Sequence, residues 1–414
     1  MSPARRALLQ RRAVVGAGLA LPGLWPATTP AAVLAGDDGI SAGRRLVFPR
    51  DHGAHPGAQI EWWYATGWLQ AGAAAGDGST AVAADGRPLF GFQITFFRSR
   101  VGLPSDAPAG ASATPPSSRF APRQLLMAHA AITDVAGKTH THAQRIARWS
   151  GDETLPEAHA RRADTDLALG RWTLRRDAAG TYQALLAAPE AGFALALQLQ
   201  PSQPVLLQGA AGYSRKGPQP GQASLYTTQP QLQVQAQLTR AGQRLGLAGR
   251  GWLDHEWSDS LLGTGGAAAG GGGAAGGGTA TGWDWIGINL ADGGALTAFV
   301  LRRADGSVLW AGGSHRPLGG TVRNFGPDEV QFSPLRFWAS PATGARYPVQ
   351  WRINTPAGSF GLRALLDAQE LDSRASVGTV YWEGLAELLD STGARTGLGY
   401  LEMTGRAQAL RLGG

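Results

Sequence analysis

The amino-acid sequence predicts an all-β protein built from two antiparallel domains. Only 16% of the 414 residues are charged, whereas Gly occurs 60 times and Trp 14 times, a composition that suits many strands and turns. Residues 232–238 alternate apolar and polar side chains with the period of a β-strand. The chain is also long enough to form two hydrophobic cores.

Further strands and turns can be placed along the chain. Residues 90–97 and 193–199 are largely apolar and have the length of a strand. Residues 292–294 and 304–306 read Asp-Gly-Gly and Ala-Asp-Gly, which are turn signals. Beyond the first 35 residues, no long segment combines helical periodicity with helix caps.

The two halves of the chain share an order of landmarks. A Trp-rich segment opens each half, at residues 61–64 and 282–285, and a strand follows each of them. The segments that close the halves, residues 251–254 and 399–402, are also alike. Such a repeat predicts two copies of one β architecture. Closure of each copy into a barrel is the simplest way to remove exposed sheet edges.

A segment of very simple composition separates the two copies. Residues 263–278 are only Gly, Ala and one Thr, which predicts a flexible insert between folded domains. The domains are therefore expected at residues 44–259 and 280–410.

The first 35 residues have the features of an export signal. Four arginines precede or flank a short apolar stretch, and small residues near Ala35 offer a cleavage site. The pair Arg11-Arg12 resembles a twin-arginine signal, which is an address and not an anchor. The apolar stretch is too short to span a bilayer. A periplasmic or secreted protein that does not span the membrane is predicted.

Charge and cysteine content exclude several classes of function. The whole chain has 37 Lys and Arg against 30 Asp and Glu, and removal of the signal leaves 33 against 30. The remaining basic residues are scattered, which does not indicate a nucleic-acid partner. The chain has no Cys, so disulfides and thiol catalysis are excluded. No Gly-x-Ser-x-Gly motif supports a serine hydrolase.

Several aromatic-rich motifs together resemble one known family. They lie, in the family's order, at residues 48–56, 61–64, 251–257, 282–285, 381–384 and 399–405. The chain resembles the two-domain, lipocalin-like carotenoid 1,2-hydratases (hydroxyneurosporene synthases) and their exported, attachment-associated (AttH-like) relatives. This resemblance implies two tandem lipocalin-like antiparallel β-barrel domains. For the hydratase branch it also implies addition of water to a terminal carbon–carbon double bond of an isoprenoid, without a cofactor.

The resemblance also implies positions for the chemistry. The His-x-Trp pair of the hydratases falls on His255 and Trp257. Their Tyr and Asp, two residues apart on the strand after the second Trp motif, fall on Phe299 and Leu301. The acid of the hydratases is therefore replaced here, as suits the exported branch, whose activity is not established.

The segment from Asp254 to Trp257 is the predicted catalytic site. On a strand, Asp254 and Glu256 share one face while His255 and Trp257 share the other, so one of these pairs faces a cavity. His255 could relay a proton and Trp257 could stabilise a cation. The alternative is a structural corner in which the carboxylates bind backbone groups.

A second set of residues is predicted to line the pocket. It consists of the acidic, aromatic and histidine side chains near the two Trp-rich segments, namely Glu61, Trp62, Tyr64, His52, Trp283, Asp284 and Trp285. A structural use of these residues is the alternative, with Trp63 closing one barrel end. His52 and His55 have the spacing of a helical metal pair, but Gly53 and Pro56 favour a loop. No metal and no cofactor are predicted.

The leading functional hypothesis is a hydratase-like enzyme that acts on an isoprenoid or another unsaturated lipophilic molecule in an apolar cavity. Two alternatives remain open. One is a periplasmic carrier that binds such a molecule without changing it, and the other is a scaffold of an envelope transport or attachment system.

Overall fold

The computed structural model describes residues 39–71, 90–100, 124–259 and 280–408. The predicted export signal and the Gly/Ala segment 263–278 lie outside these ranges. Within them there is no α-helix, and the helical content is two short 3-10 helices, Arg50–His52 and Pro189–Ala191. The all-β prediction is confirmed. No helix in these ranges is long and apolar enough to cross a membrane.

The first sheet is formed by 13 antiparallel strands between residues 60 and 258. They are β1 (Ile60–Ala71), β2 (Phe90–Arg100), β3 (Gln124–Asp134), β4 (Thr139–Trp149), β5 (Ala158–Ala160), β6 (Asp166–Leu169), β7 (Trp172–Arg176), β8 (Tyr182–Ala188), β9 (Phe193–Gln200), β10 (Leu206–Leu207), β11 (Tyr213–Arg215), β12 (Ala223–Arg240) and β13 (Gln243–Ser258). The strand order is β4-β3-β2-β1-β13-β12-β9-β8-β7-β6-β5. Because β4 and β5 at the two ends contact each other, the sheet is a nearly closed barrel.

The second sheet is formed by ten antiparallel strands between residues 282 and 403. They are β14 (Gly282–Leu290), β15 (Ala295–Arg302), β16 (Val308–Arg316), β17 (Arg323–Phe325), β18 (Gln331–Ala339), β19 (Arg346–Thr355), β20 (Gly358–Ala364), β21 (Glu370–Ser373), β22 (Thr379–Leu389) and β23 (Arg395–Met403). The order is β17-β16-β15-β14-β23-β22-β20-β19-β18.

The two sheets have the same arrangement around their central strands. In the first, β1 pairs with β2 on one side and with the last strand, β13, on the other. In the second, β14 pairs in the same way with β15 and with the last strand, β23. Each Trp-rich segment therefore lies beside its own closing segment, as the repeated landmarks in the sequence suggest.

Strand alternation places most of the buried apolar side chains of the described residues in three large cores, beside two small clusters. One lies inside the first sheet and includes Trp63 and Leu253, and a second lies inside the second sheet and includes Ile286. A third lies between the sheets and includes Tyr64 and Trp252, which neighbour Trp63 and Leu253 in sequence. Since successive side chains of a strand point to opposite faces, the central strands serve an inner core and the inter-sheet core at once.

Candidate functional site

A cavity of about 220 Å³ lies between the two sheets. Its walls come from the central strands of both sheets and from two connections, residues 216 and 376–377. The lining side chains are Ile60, Trp62, Tyr64, Thr95, Phe97, Ser99, Leu125, Met127, Lys216, Tyr226, Asp254, Glu256, Trp283, Trp285, Phe299, Leu301, Ser376, Val377, Thr379, Tyr381, Glu383, Glu402 and Thr404. The cavity therefore combines an aromatic lining with four carboxyl groups.

Asp254 on β13 is one of these carboxyl groups. It is 3% exposed and accepts hydrogen bonds from Tyr226 Oη at 2.7 Å and Thr228 Oγ1 at 2.6 Å, both on the neighbouring strand β12. Burial raises the pKa of Asp254 to about 7, although these two hydrogen bonds act in the opposite direction. The side chain can therefore carry a proton at neutral pH.

Two glutamates of the second sheet complete this acidic group. Glu383 on β22 lies directly opposite Glu402 on β23. Burial, with the charges of Asp254 and Glu256 adding to it, raises the pKa of Glu402 to about 7. The pKa of Glu383 is raised well above its usual value by burial and then by the charge of Glu402.

Two polar atoms at these carboxyls have no hydrogen bond of good geometry within the described ranges, although their two side chains interact with each other. They are Oη of Tyr64 and Oε1 of Glu383, and both are buried. A buried polar atom without a hydrogen bond is costly, so such atoms call for an explanation. Because both residues line the cavity, a ligand or water held there would satisfy them.

Glu256, the fourth carboxyl group, has a cation beside it. Lys216 Nζ lies 2.8 Å from Glu256 Oε1, and Ser224 Oγ donates a hydrogen bond to the same oxygen. The cavity thus contains the Lys216–Glu256 ion pair. Asp254, whose pKa is raised, lies two residues from Glu256 along β13.

Aromatic rings of both sheets meet around these groups. Trp285 packs its ring edge against Tyr64, with 5.5 Å between the ring centroids, and its Nε1 donates a hydrogen bond to Tyr226 Oη at 3.2 Å. Trp62 and Trp283 also line the cavity and are only partly buried. Four of the seven predicted pocket residues, Trp62, Tyr64, Trp283 and Trp285, are therefore brought together here.

His255 and Trp257 lie on the opposite face of β13, behind the cavity wall. The His255 ring stacks on Trp63 at 4.6 Å, and Trp257 stacks on His55 at 3.7 Å. His255 Nε2 is 2.9 Å from Glu61 Oε1. Of the predicted catalytic segment, only Asp254 and Glu256 line the cavity.

Glu61, another predicted pocket residue, is the centre of a buried polar network behind the cavity. Arg98 Nε donates to Glu61 Oε2 at 2.8 Å, and His55 Nδ1 lies 2.8 Å from Oε1. His55 Nε2 in turn lies 3.0 Å from Asp51 Oδ1. Burial alone would raise the pKa of Glu61, but the charges of Arg98 and His55 and the hydrogen bonds from His255 and His55 hold it well below its usual value.

The same network contains a candidate metal-ligand set. Three possible ligand atoms, one from each of His55, Glu61 and His255, lie within 4.8 Å of one another. However, the two His–Glu61 separations of 2.8 and 2.9 Å are those of hydrogen bonds, and Arg98 binds the second Glu61 oxygen. Ligands of one Zn²⁺ at about 2.0–2.2 Å each would stand further apart. A hydrogen-bonded network therefore accounts for these residues.

The remaining two predicted pocket residues, His52 and Asp284, do not line the cavity. His52 lies in the 3-10 helix that precedes β1, where its carbonyl accepts a hydrogen bond from Trp63 Nε1 at 3.0 Å. Asp284 follows Trp283 on β14 and so points to the opposite face, where Arg302 and Arg406 bind its carboxylate at 2.8 and 2.7 Å. Strand alternation explains the position of Asp284.

Two residues with raised pKa values, Glu383 and Glu402, were not among the predicted site residues. The sequence does contain an indication of Glu402, because residues 399–402 resemble residues 251–254. In this alignment Glu402 is the counterpart of Asp254. Phe299 and Leu301 line the cavity. The positions that the family resemblance gives to the hydratase Tyr and Asp are therefore at the site, but neither holds an acid here.

Comparison with known proteins agrees with this architecture. The profile of the AttH-like family matches residues 40–406. A crystal structure of an AttH protein from Nitrosomonas europaea is 41% identical, covers 89% of this chain and 99% of its own, and superposes with a TM-score of 0.73. Kievitone hydratase from Nectria haematococca is 13% identical, covers 88% of this chain and 94% of its own, and has a TM-score of 0.58, which shows a shared fold. No curated protein sequence matches significantly. The chain belongs to the AttH-like family and has its all-β, lipocalin-like fold.

Proposed function

We propose that this protein adds water to a carbon–carbon double bond of an isoprenoid or similar lipophilic molecule held between the two sheets. The observation that carries this proposal is the group of buried carboxyls in an aromatic cavity. Asp254 and Glu402 line the same space, and each has a pKa raised to about 7. The protein also shares its fold with kievitone hydratase.

Hydration of an alkene begins with transfer of a proton to carbon. A carboxylic acid that stays protonated at neutral pH can donate that proton, and burial provides such an acid here. Asp254 and Glu402 titrate in the same range, and the charge of Asp254 contributes to the raised pKa of Glu402, so protonated and ionised carboxyls are both present near pH 7. One member is then the acid and the other is a carboxylate.

The remaining steps also have suitable groups. Protonation of the less substituted carbon leaves a tertiary cation, which the ring faces of Trp62, Trp283 and Trp285 can stabilise. Water then bonds to the cationic carbon, and the carboxylate takes the proton that water releases. One water is consumed and the pair of carboxyls ends with one proton, as it began.

The test is incorporation of heavy oxygen from labelled water. The full chain would be incubated with 2,6-dimethyl-2,6-octadiene and with geranylacetone, and the products analysed by mass spectrometry. Labelled alcohol is expected from the wild type, with a loss of about a hundredfold or more in Asp254→Asn and Glu402→Gln. Glu387→Gln is the matched control, because Glu387 lies on β22 with Glu383 but binds Arg363 at 2.8 Å outside the cavity.

The carrier hypothesis gives a different result. A carrier would bind these probes, as followed by fluorescence of the cavity tryptophans, and would form no labelled alcohol from them. Binding without incorporation by the wild type would therefore reject the proposed reaction and favour the carrier.

A further inference from the structure

Lysine is nearly absent from this protein. Of the 37 basic residues, 35 are arginines and two are lysines, Lys138 and Lys216. Lys138 is exposed in the turn after β3, whereas the Lys216 side chain is 8% exposed and lines the cavity. Lys216 is the one cation among the described residues that line this space.

The surroundings of Lys216 leave hydrogen-bonding capacity for a ligand. Its Nζ lies 2.8 Å from Glu256, and 4.7 and 4.4 Å from the ring centroids of Tyr226 and Phe299. An ammonium has three N–H donors, and within the described ranges Glu256 is its one hydrogen-bonding partner. The aromatic faces stabilise the charge without accepting conventional hydrogen bonds.

We propose that Lys216 binds a carbonyl oxygen of the molecule in this cavity, so that the ligand is an unsaturated ketone or aldehyde. The proposal rests on the proposed function for the double bond at Asp254, whereas the carbonyl site at Lys216 is argued from the contacts of Lys216 alone. An ammonium only donates hydrogen bonds, and a carbonyl oxygen only accepts them, so the two groups satisfy each other. An anionic ligand fits less well, because Glu256 already neutralises Lys216 and three further carboxyls line the space.

The position of the ion pair also separates the carbonyl from the double bond. Glu256 lies two residues from Asp254 on β13, which corresponds to about 6–7 Å along the strand. A carbonyl at Lys216 would thus lie several bonds from a double bond at Asp254. Geranylacetone, which has a ketone and a remote terminal double bond, is a suitable probe.

The first measurement compares binding of geranylacetone with binding of the hydrocarbon that has CH₂ in place of its carbonyl. The replacement Lys216→Met should weaken ketone binding about tenfold or more and leave hydrocarbon binding within about twofold. Lys138→Met is the matched control and should change neither. Because Lys216→Met leaves Glu256 buried without its cation, Lys216→Met/Glu256→Met provides a second variant with neither an unpaired charge nor a new N–H donor. It should show the same selective loss.

The second measurement is the infrared carbonyl stretch of bound geranylacetone. A hydrogen bond from the ammonium should lower this frequency in the wild type and in Lys138→Met, and the shift should disappear in both Lys216 variants. The proposal would be overturned if the Lys216 variants lost ketone and hydrocarbon binding equally, or if the carbonyl frequency of geranylacetone did not change on binding to the wild type. It would also be overturned if the wild type bound a carboxylate analogue of geranylacetone more tightly than the ketone. Ketone-selective binding without heavy-oxygen incorporation would support Lys216 as the carbonyl site and reject only the hydration reaction.

Discussion

Asp254 and Glu402 occupy equivalent positions in the two sheets and line one cavity. Asp254 on β13 pairs with Tyr64 on β1, and Glu402 on β23 pairs with Trp285 on β14. The charge of Asp254 adds to burial in raising the pKa of Glu402. The two copies of the internal repeat pack against each other. Their packing therefore brings two counterpart carboxyls into the same apolar space.

The shared proton predicts a bell-shaped dependence of water addition on pH. The acid must be protonated and its partner ionised, and both pKa values lie at about 7. Activity should therefore fall as pH rises above this range, because the acid is lost, and as pH falls below it, because the base is lost. Initial rates of heavy-oxygen incorporation between about pH 5 and pH 9 provide the measurement.

Control variants distinguish the titration of Asp254 and Glu402 from general effects of pH on the rate of water addition. Glu387→Gln should keep the wild-type profile, whereas Asp254→Asn and Glu402→Gln should have little activity at any pH. A wild-type rate that stays constant across this range would contradict the assignment of acid and base.

The same carboxyls make a contribution to stability that falls as the pH rises from about 4 to about 7, whereas His52, His129 and His140, whose pKa values burial lowers to about 3, contribute in the opposite direction over this range. The pKa of Asp254 rises from 3.8 in the unfolded chain to about 7 in the folded protein, and that of Glu402 from 4.5 to about 7. Across this window the unfolded chain has lost protons that the folded protein keeps, so raising the pH favours unfolding. The loss should be on the order of 2–4 kcal/mol per group.

Melting temperature measured by calorimetry at several pH values tests this effect. Asp254→Asn should melt at a higher temperature than the wild type above about pH 7, and this difference should shrink as the pH falls towards 4. Below about pH 4 both proteins should lose stability as the pH falls, because the pKa of Asp51, about 2, and that of Glu61 are depressed, and their stabilisation is lost on protonation. Because the histidines are the same in both proteins, the difference in melting temperature between Asp254→Asn and the wild type isolates the carboxyl, and a difference that stays constant from pH 4 to pH 7 would contradict the burial of a protonated Asp254.

The network behind the cavity predicts that replacement of Arg98 lowers the free energy of unfolding much more than replacement of Arg100. Arg98 is 0% exposed and binds Glu61, Gln124 and two backbone carbonyls, whereas Arg100 on the same strand binds one exposed carbonyl, that of Gly57. Arg98→Met should lower the free energy of unfolding by about 3–5 kcal/mol, because it leaves the Glu61 charge uncompensated. Arg100→Met should cost less than about 1 kcal/mol.

Urea unfolding measures both variants. Addition of Glu61→Gln to Arg98→Met should recover part of the loss, since the buried negative charge is then removed together with its partner. Equal effects of the two arginine replacements would show that Arg98 and Glu61 do not depend on each other.

Local patterns were sufficient to predict the strands and the division of the segment at residues 254–257. Strand alternation placed Asp254 with Glu256 and His255 with Trp257. It could not decide which pair faces the cavity, because that depends on how β13 packs between its own barrel and the other sheet. The resemblance favoured His255 and Trp257, whereas the structure places them behind the wall.

Long-range packing explains the residues that were missed. Glu383 becomes an acid candidate only when β22 pairs with β23 beside the other sheet. Lys216 lies in a connection outside any strand, where no periodic pattern indicates its direction. The His52–His55 spacing indicated either a metal pair or a loop, and only the fold shows that His55 lies between Asp51 and Glu61.

Export by the twin-arginine route remains a proposal that rests on Arg11 and Arg12. Replacement of both by Lys keeps the charge but removes the receptor-read pair, so mature protein should no longer accumulate in the periplasm. Fractionation followed by immunoblotting measures this, with Arg5→Lys/Arg6→Lys as the control. Normal accumulation in the Arg11/Arg12 variant would point to the general secretory route.

Restoring an acid at position 301 provides a direct test of whether the acid function has moved within the cavity. Phe299 and Leu301 line the same space as Glu402 and occupy the places that resemblance gives to the hydratase Tyr and Asp. A carboxyl at position 301 would be surrounded by apolar groups, so burial should raise its pKa and keep it protonated near pH 7. Phe299→Tyr/Leu301→Asp in a Glu402→Gln background should therefore recover water addition to about tenfold or more above Glu402→Gln alone. Phe299→Tyr/Leu301→Asn in that background keeps the shape without the transferable proton and should recover nothing. Equal activity of the Asp and Asn variants would show that position 301 cannot supply the proton, and that the resemblance does not extend to the placement of the acid.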